Sequence, residues 1–284
     1  MNYKTESRFT LGAGLKAFAF AGMLSCFIAA KPAEAQAQKY VQVMETATKD
    51  AKNVKDHWVT ENDSVKITYH FWSEKGILSF AIHNKLTVPL FIDWEQSTFK
   101  SLGETFDYWP DNEPGKPEGI RADFHYDGPP VMPGHTATQG VGGAGANKNR
   151  TARLSEIEPN GDLIRSSYYI FPKPYFDMGA KYTSRHLALR EDKSVMTLVY
   201  ELDFHEKNTP LRFSNAVAYS TSEDFKSKGT LAAEFKLEKV TEMEARQFKN
   251  KSKESMEDAK NGSSPYASPR SFYVSVPAGQ GVKK

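Results

Sequence analysis

The chain has 284 residues and only one cysteine, Cys26, so a disulfide scaffold and a cysteine-rich zinc site are both excluded. The composition is not that of a disordered chain either, because 39% of the residues are hydrophobic and 25% are charged. The length suits one large domain or two small ones with a proper core.

Long apolar runs are missing apart from one near the start. Residues 17–30 (AFAFAGMLSCFIAA) are apolar, but a bilayer crossing needs about 20 such residues. Basic residues precede this run, namely Lys4, Arg8 and Lys16, and a small-x-small site that ends at Ala35 follows it. The pattern predicts a signal peptide over residues 1–35, cleaved after Ala35. The exported chain is then periplasmic, outer-membrane-associated or secreted, with no membrane span after signal removal.

Cys26 leaves a second interpretation of the leader open. The tetrapeptide Met23-Leu24-Ser25-Cys26 loosely resembles the motif that precedes a lipidated cysteine, although Met and Leu are unusual at its first two positions. Lipidation at Cys26 predicts a membrane-anchored lipoprotein. Cleavage after Ala35 leaves a mature chain without cysteine, which also excludes thiol catalysis.

An excess of charge of one sign is absent as well. Residues 1–35 hold four basic and two acidic side chains, and the rest of the chain has equal numbers of both, so its formal net charge is zero. A neutral domain has no overall field that attracts phosphate backbones. The sequence therefore predicts no nucleic-acid partner.

Alternation of apolar and polar residues dominates what remains. In residues 65–71 every odd position is apolar and every even one polar, which is typical of a strand with one buried face. Further strand candidates are residues 77–83, 88–94, 104–109, 163–171, 196–204, 211–219, 231–237 and 271–276. Many short strands with little helix predict an all-β fold, an antiparallel β-sandwich of the immunoglobulin-like or jelly-roll-like kind, over residues 36–248.

Turn and helix signals complete the outline. Residues 73–76 (SEKG) and the dipeptide Asn160-Gly161 predict hairpin turns. Residues 241–260 are strong helix formers and predict a short C-terminal helix. Residues 249–284 are then a helical or flexible tail that carries the last strand-like segment.

A long insert interrupts the strand pattern. Residues 110–150 hold six of the 15 prolines and eight of the 19 glycines. Loops of this length are uncommon in compact domains and are either functional or disordered, so a flexible flap and a ligand-contacting loop both stay open. We expect the aromatic residues Trp109, Phe124 and Tyr126 in or beside it to contact a partner.

Motifs for cofactors and catalysis fail in context. Residues 140–145 match the glycine pattern of a dinucleotide site, but no buried strand precedes them and no amphipathic helix follows. The seven histidines do not form a HExxH pair, and no GxSxG motif is present. The sequence therefore predicts no cofactor, no metal site and no catalytic residue.

One carbohydrate alternative stays open. Carboxylates that could flank a sugar lie among aromatic residues between positions 93 and 111; they are Asp93, Glu95, Asp107 and Asp111, near Trp94, Tyr108 and Trp109. The competing interpretation is structural, because Leu90, Ile92 and Trp94 alternate as a core face. In that case Asp93 lies on the opposite face or in a turn.

Two stretches resemble a known group of proteins. Residues 61–69, Phe71-Trp72 and residues 84–94 (NKLTVPLFIDW) resemble a set of uncharacterised exported β-rich proteins of Bacteroidetes-type bacteria, and residues 210–240 are similar to their C-terminal strands. The resemblance implies export and a β-rich fold. It supplies no activity and no catalytic residue.

Taken together, these patterns predict an exported, non-enzymatic binding or structural module with an unknown protein or glycan partner in the cell envelope. The alternative is a carbohydrate-binding or carbohydrate-cleaving protein. An exported peptidase or esterase is a third interpretation, for which the sequence offers no motif.

Overall fold

The computed structural model of the chain describes residues 40–109, 153–179, 181–189, 196–248, 264, 266–277 and 280. These residues form fourteen strands and one helix, in the order β1 Tyr40–Ala47, β2 Lys52–Val54, β3 His57–Glu61, β4 Val65–His70, β5 Ile77–Asn84, β6 Leu90–Ser101, β7 Glu104–Asp107, β8 Leu154–Ile157, β9 Asp162–Tyr169, β10 Ser184–Leu189, β11 Met196–Asp203, β12 Arg212–Ser220, β13 Lys228–Glu244, α1 Ala245–Phe248 and β14 Ser271–Val276.

The strands form two sheets in which the paired strands run antiparallel. Sheet A has nine strands, with the order β10-β11-β13-β12-β6-β7 and with β1, β14 and β8 paired beside that path. Sheet B has five strands in the order β2-β3-β4-β5-β9. The prediction of an all-β antiparallel sandwich is confirmed.

Alternation positions the core between the sheets. In β4 the side chains of Val65, Ile67 and Tyr69 are fully buried, whereas the intervening residues are partly exposed. Tyr69 of sheet B lies 4.9 Å from Phe235 of sheet A, measured between ring centroids in an edge-to-face pair. Aromatic residues of both sheets thus pack against each other, and this packing buries the apolar face of each sheet.

A second apolar cluster lies on the outer face of sheet A, the face that points away from sheet B. It consists of Val41, Val43, Val199, Met243 and Phe248. The helix α1 and the partly buried side chains of Trp72, Tyr266 and Tyr273 pack against it. The outer face of this sheet is therefore partly covered, and the covering segments also form a wall of the groove described below.

The predicted helix over residues 241–260 is wrong in its first part. Strand β13 continues to Glu244, and α1 spans only the four residues after it. Residues 239–242 pair with β11 on one side and β1 on the other, and Met243 is fully buried in the second cluster. Sheet pairing and burial therefore override the local helix propensity. Residues 249–260 lie outside the described residues.

The last predicted strand is confirmed and belongs to sheet A. Strand β14 pairs with β1, so segments near the two ends of the described chain lie side by side. The described residues from Tyr40 onward belong to one compact unit. A strand near residue 271 is thus part of the same sheet as a strand near residue 40.

Of the two predicted hairpin turns, one is confirmed. Residues 73–76 join β4 to β5, which pair with each other. The turn at Asn160-Gly161 connects β8 to β9, but β8 pairs with β6 in sheet A and β9 with β5 in sheet B. The turn residues reverse the chain without fixing which strand becomes the partner, because the ladder depends on burial elsewhere.

Several predictions fall on residues outside the described ranges. They are the signal peptide over residues 1–35, cleavage after Ala35, lipidation at Cys26 and the insert at residues 110–150. Within the described part of the chain, no helix has the length and the apolar character that a membrane crossing requires.

Candidate functional site

The candidate site is a groove of about 340 Å³ on the outer face of sheet A. Its floor comes from strands β1, β11 and β13, with β10 on one flank and the segment before β14 on the other. The residues that line it are Val43, Glu45, Thr46, Asp56, His186, Val199, Glu201, Glu238, Lys239, Thr241, Tyr266, Ala267, Ser268, Arg270 and Ser271. A volume of this size is within the range of small-ligand pockets.

A β-bulge in β13 brings two charged side chains to the groove. Glu45 pairs with Lys239 and Thr46 pairs with Leu237, which leaves Glu238 as the extra residue. A bulge shifts the phase of alternation and re-aims the side chains that follow it. As a result Glu238 and Lys239 both line the groove, although they are neighbours in the chain.

Lys239 is shared by two carboxylates on the groove floor. Its Nζ lies 2.9 Å from Oε1 of Glu45 and 3.7 Å from Oε1 of Glu201. Partial burial opposes the charge, but the hydrogen bond with Glu45 and the two negative charges outweigh it and raise the pKa of Lys239. The ammonium group is therefore charged at neutral pH and fixes the two carboxylates on neighbouring strands.

Glu201 also reaches towards the edge of the sheet. Ser184 Oγ donates a hydrogen bond of 2.8 Å to Glu201 Oε2, and Nδ1 of His186 lies 4.0 Å from the same oxygen. A serine nucleophile in a triad donates its proton to an imidazole, whereas here the hydroxyl donates directly to the carboxylate. The arrangement holds Glu201 over β10 and does not activate Ser184.

The opposite wall is fixed by an ion pair. Arg270 contacts Oδ1 of Asp56 through Nε at 2.8 Å and through its terminal nitrogen at 2.7 Å, and Ser268 donates to Oδ2 of the same carboxylate. Tyr266 lies on this wall between the groove and the second apolar cluster. The wall therefore offers a rigid polar side and one aromatic ring.

The charges of the groove do not balance. Four carboxylates line it, those of Glu45, Asp56, Glu201 and Glu238, against the two fixed cations of Lys239 and Arg270. The carboxylates keep free acceptor positions after these contacts, since an ionised carboxylate has about four lone-pair sites. The groove can thus bind hydroxyl and cationic groups. Among the described residues, no group of three or more His, Cys, Asp or Glu side chains could hold a metal ion.

Of the three predicted contact residues, only Trp109 is described, and it does not line this groove. Trp109 is partly buried and packs against the main core, and it is not among the groove residues. Phe124 and Tyr126 lie outside the described residues. The structure thus places the one described member of the predicted set at the start of the insert, away from the groove.

Trp94 and Asp93 do not offer the surface that the carbohydrate alternative requires, and Asp111 of that set lies outside the described residues. Trp94 is 1% exposed, and the guanidinium of Arg165 lies 3.9 Å from the centroid of its ring. Asp93 is fully buried, and Arg153 lies 2.9 Å from it. Burial raises the pKa of Asp93, but hydrogen bonds from Arg153 and Gln96 outweigh it and leave the pKa below its usual value. The tryptophan has no free face for a sugar, so the core interpretation is confirmed.

A pair of histidines on the outer face of sheet B is a separate cluster of titratable groups. The rings of His57 and His70 lie 5.8 Å apart on neighbouring strands. His70 Nδ1 is buried and has no hydrogen-bond partner in the described part of the chain. Burial and the nearby His57 lower the pKa of His70 from 6.5 to about 4. His70 is therefore neutral in the folded protein at neutral pH.

This buried histidine predicts a loss of stability in mild acid. Between pH 6.5 and about 4 the unfolded chain binds a proton at His70 and the folded chain does not, so the free energy of unfolding falls as the pH falls. We expect a loss of about 3 kcal/mol over this interval, measured by urea unfolding at several pH values. The variant His70→Gln removes this contribution, while His205→Gln, at an exposed position, keeps it. Parallel pH profiles for wild type and His70→Gln would contradict the assignment.

The groove residues carry no sequence signal that would have grouped them. Glu45, Glu201 and Arg270 come from segments far apart in the chain; the first two are ordinary outward-facing charges of β1 and β11, and Arg270 lies in the turn before β14. Only the sheet order and the bulge at Glu238 bring them together. Comparison with known proteins adds no candidate residue, because no protein-family model, no curated protein and no solved structure matches the chain.

Proposed function

We propose that the chain is an exported, non-enzymatic binding module of the cell envelope whose groove on sheet A holds a polar ligand. The observation that carries this proposal is the groove itself, in which side chains from three strands and two neighbouring segments are fixed by ion pairs. Lys239 and Arg270 are already bound to carboxylates, so these groups present a fixed pattern of acceptors and donors. Such a fixed pattern suits selective binding.

A carbohydrate ligand is the second candidate, and one observation favours it. One aromatic side chain, Tyr266, lines the polar groove. It packs against the second apolar cluster, as do Trp72 and Tyr273, whose ring centroids lie 5.2 Å apart. Aromatic rings next to carboxylates and hydroxyls are a usual composition for sugar sites, since the rings stack on the apolar face of the sugar.

The test compares two lysines of the same strand. Lys239 lies in the groove, and Lys236 pairs with Glu206 outside it. We expect Lys239→Met to change the affinity for a groove ligand about tenfold or more, because it frees two carboxylates, and Lys236→Met to leave it within about twofold. Calorimetric titration with neutral and charged oligosaccharides and with acidic and basic peptides measures this.

Protein purified from its native host serves a second purpose in these titrations. Its intact mass reports whether the chain begins after Ala35 or at an acylated Cys26, and a mass that includes the full leader would contradict export.

Equal effects of the two lysine variants on every ligand that binds would remove the groove as the site. Release of product from any oligosaccharide or peptide would contradict the non-enzymatic role.

A further inference from the structure

Strand β10 forms an edge of sheet A that is open in the described structure. It pairs with β11 on one side, and among the described residues no strand pairs with its other side. Residues 185–187 are exposed, as is all of β2 at one edge of sheet B, whereas β9 at the other edge of sheet B has no exposed residue. An open edge presents unpaired backbone N–H and C=O groups to any extended chain that reaches it.

The inner face of this edge carries two exposed apolar side chains. Leu187 is 56% exposed and Met196 is 53% exposed, the two highest values among the exposed large hydrophobic residues of the described chain. Leu187 pairs with Leu198, and Met196 lies two residues before Leu198 in β11, so all three point to the same face. They form an apolar surface next to the open edge.

The outer face of the same edge is acidic. Ser184 holds Oε2 of Glu201 above β10, at the end of the groove. The groove has a formal charge of −2 when His186 is neutral, because its four carboxylates face two cations. A strand added beside β10 lies about 4.8 Å from it, so a lysine or arginine on that strand reaches the Glu201 carboxylate.

We propose that β10 receives an extended segment of a partner protein in which basic and apolar residues alternate. The added strand pairs with the open edge, its basic side chains point to Glu201 and the groove, and its apolar side chains cover Leu187 and Met196. The proposal rests on the proposed function, because it names the partner of the same groove. A second copy of this chain fits less well, since it would bring its own Ser184 and His186, and no fixed cation, to the acidic face.

The experiment uses the full chain and an acetylated, amidated peptide that alternates lysine and valine. One control peptide has glutamate in place of lysine, and a second has the same sequence with alternate backbone nitrogens methylated, which removes the pairing donors and keeps the charge. Titration gives the affinity, and amide hydrogen exchange reports residues 184–189. We expect binding of the first peptide only, with slower exchange of the β10 amides.

Protein variants test the two faces separately. We expect Glu201→Gln and Leu187→Ser each to weaken binding about tenfold, because one removes the carboxylate and the other the apolar contact. Glu234→Gln is the matched control on the same sheet, since Glu234 pairs with Arg212 away from β10 and its loss leaves the affinity unchanged. Lys239 keeps its contact with Glu45 in Glu201→Gln, so this variant still folds.

Each outcome decides between the two proposals. Peptide binding that depends on Glu201 but leaves the β10 amides unprotected overturns strand addition and keeps the groove as a binding site. Failure of the alternating peptide, with another ligand bound in the groove, overturns only the partner named here. Protection of β10 in the free protein that disappears on dilution identifies a second copy as the occupant and also overturns it.

Discussion

Replacing Gly76 with alanine is expected to lower the free energy of unfolding by about 3 kcal/mol or more. Gly76 has a φ of +64°, and a Cβ atom added there would lie 2.6 Å from Cγ of Phe272. Phe272 is fully buried in the main core, so its ring cannot move aside without disturbing its neighbours. The loss therefore combines backbone strain with a steric clash in a closely packed region.

Gly103→Ala is the matched control for this loss. Gly103 also has a positive φ, +87°, but nothing lies within 4 Å of the added Cβ. We expect a loss of about 1 kcal/mol from strain alone. Urea unfolding of both variants, with an unchanged dependence on denaturant, separates the two contributions. Equal losses at both positions would show that the Phe272 contact adds nothing.

The contact at Gly76 shows how a turn of sheet B is fixed to sheet A. The turn at residues 73–76 follows β4, and its Lys75 N–H donates to the Tyr273 carbonyl in β14 at 2.7 Å. The sequence predicted this turn from its glycine and its polar residues. It did not predict the close approach to Phe272, because that residue is almost two hundred positions away in the chain.

The alternation of apolar residues predicted most of the strands because each has one face in the core. One face of β13 was predicted from this pattern, and its side chains point to the main core between the sheets. They are Leu231, Ala233, Phe235 and Leu237. The same pattern failed after Leu237, where the bulge at Glu238 shifts the phase and the strand continues through residues with high helix propensity. Local patterns indicate which side is buried, whereas a bulge and the pairing partners depend on the whole sheet.

The candidate site was less predictable than the fold. Trp94 and Asp93 were candidates because aromatic and acidic residues lie close together in that part of the chain, but both are buried in the sandwich. The groove depends instead on Lys239, Glu45 and Glu201, which meet only because β13 lies between β1 and β11. Single outward-facing charges are common on strands, so nothing in the sequence distinguished these three.

Truncation of Phe235 to alanine is expected to lower the free energy of unfolding by about 4 kcal/mol, among the largest effects for any residue of the core. Its ring centroid lies 4.9 Å from that of Tyr69, 5.2 Å from that of Phe71 and 5.1 Å from that of Phe213. Tyr69 and Phe71 belong to or directly follow β4 in sheet B, so the ring is a direct contact between the sheets. Removing it leaves a cavity that these three fully buried aromatic neighbours cannot fill.

Two further variants separate the cavity from the loss of apolar surface. Phe235→Leu keeps most of the volume and is expected to cost about 1.5 kcal/mol, because only the ring contacts are lost. Phe106→Ala makes the same truncation at a half-buried ring of β7, and we expect a loss of about 1 to 2 kcal/mol there. Suppose that Phe235→Ala and Phe106→Ala lower the free energy of unfolding by the same amount. The aromatic contacts between β4 and β13 then do not hold the two sheets together, and the stability of the sandwich has to come from its edges.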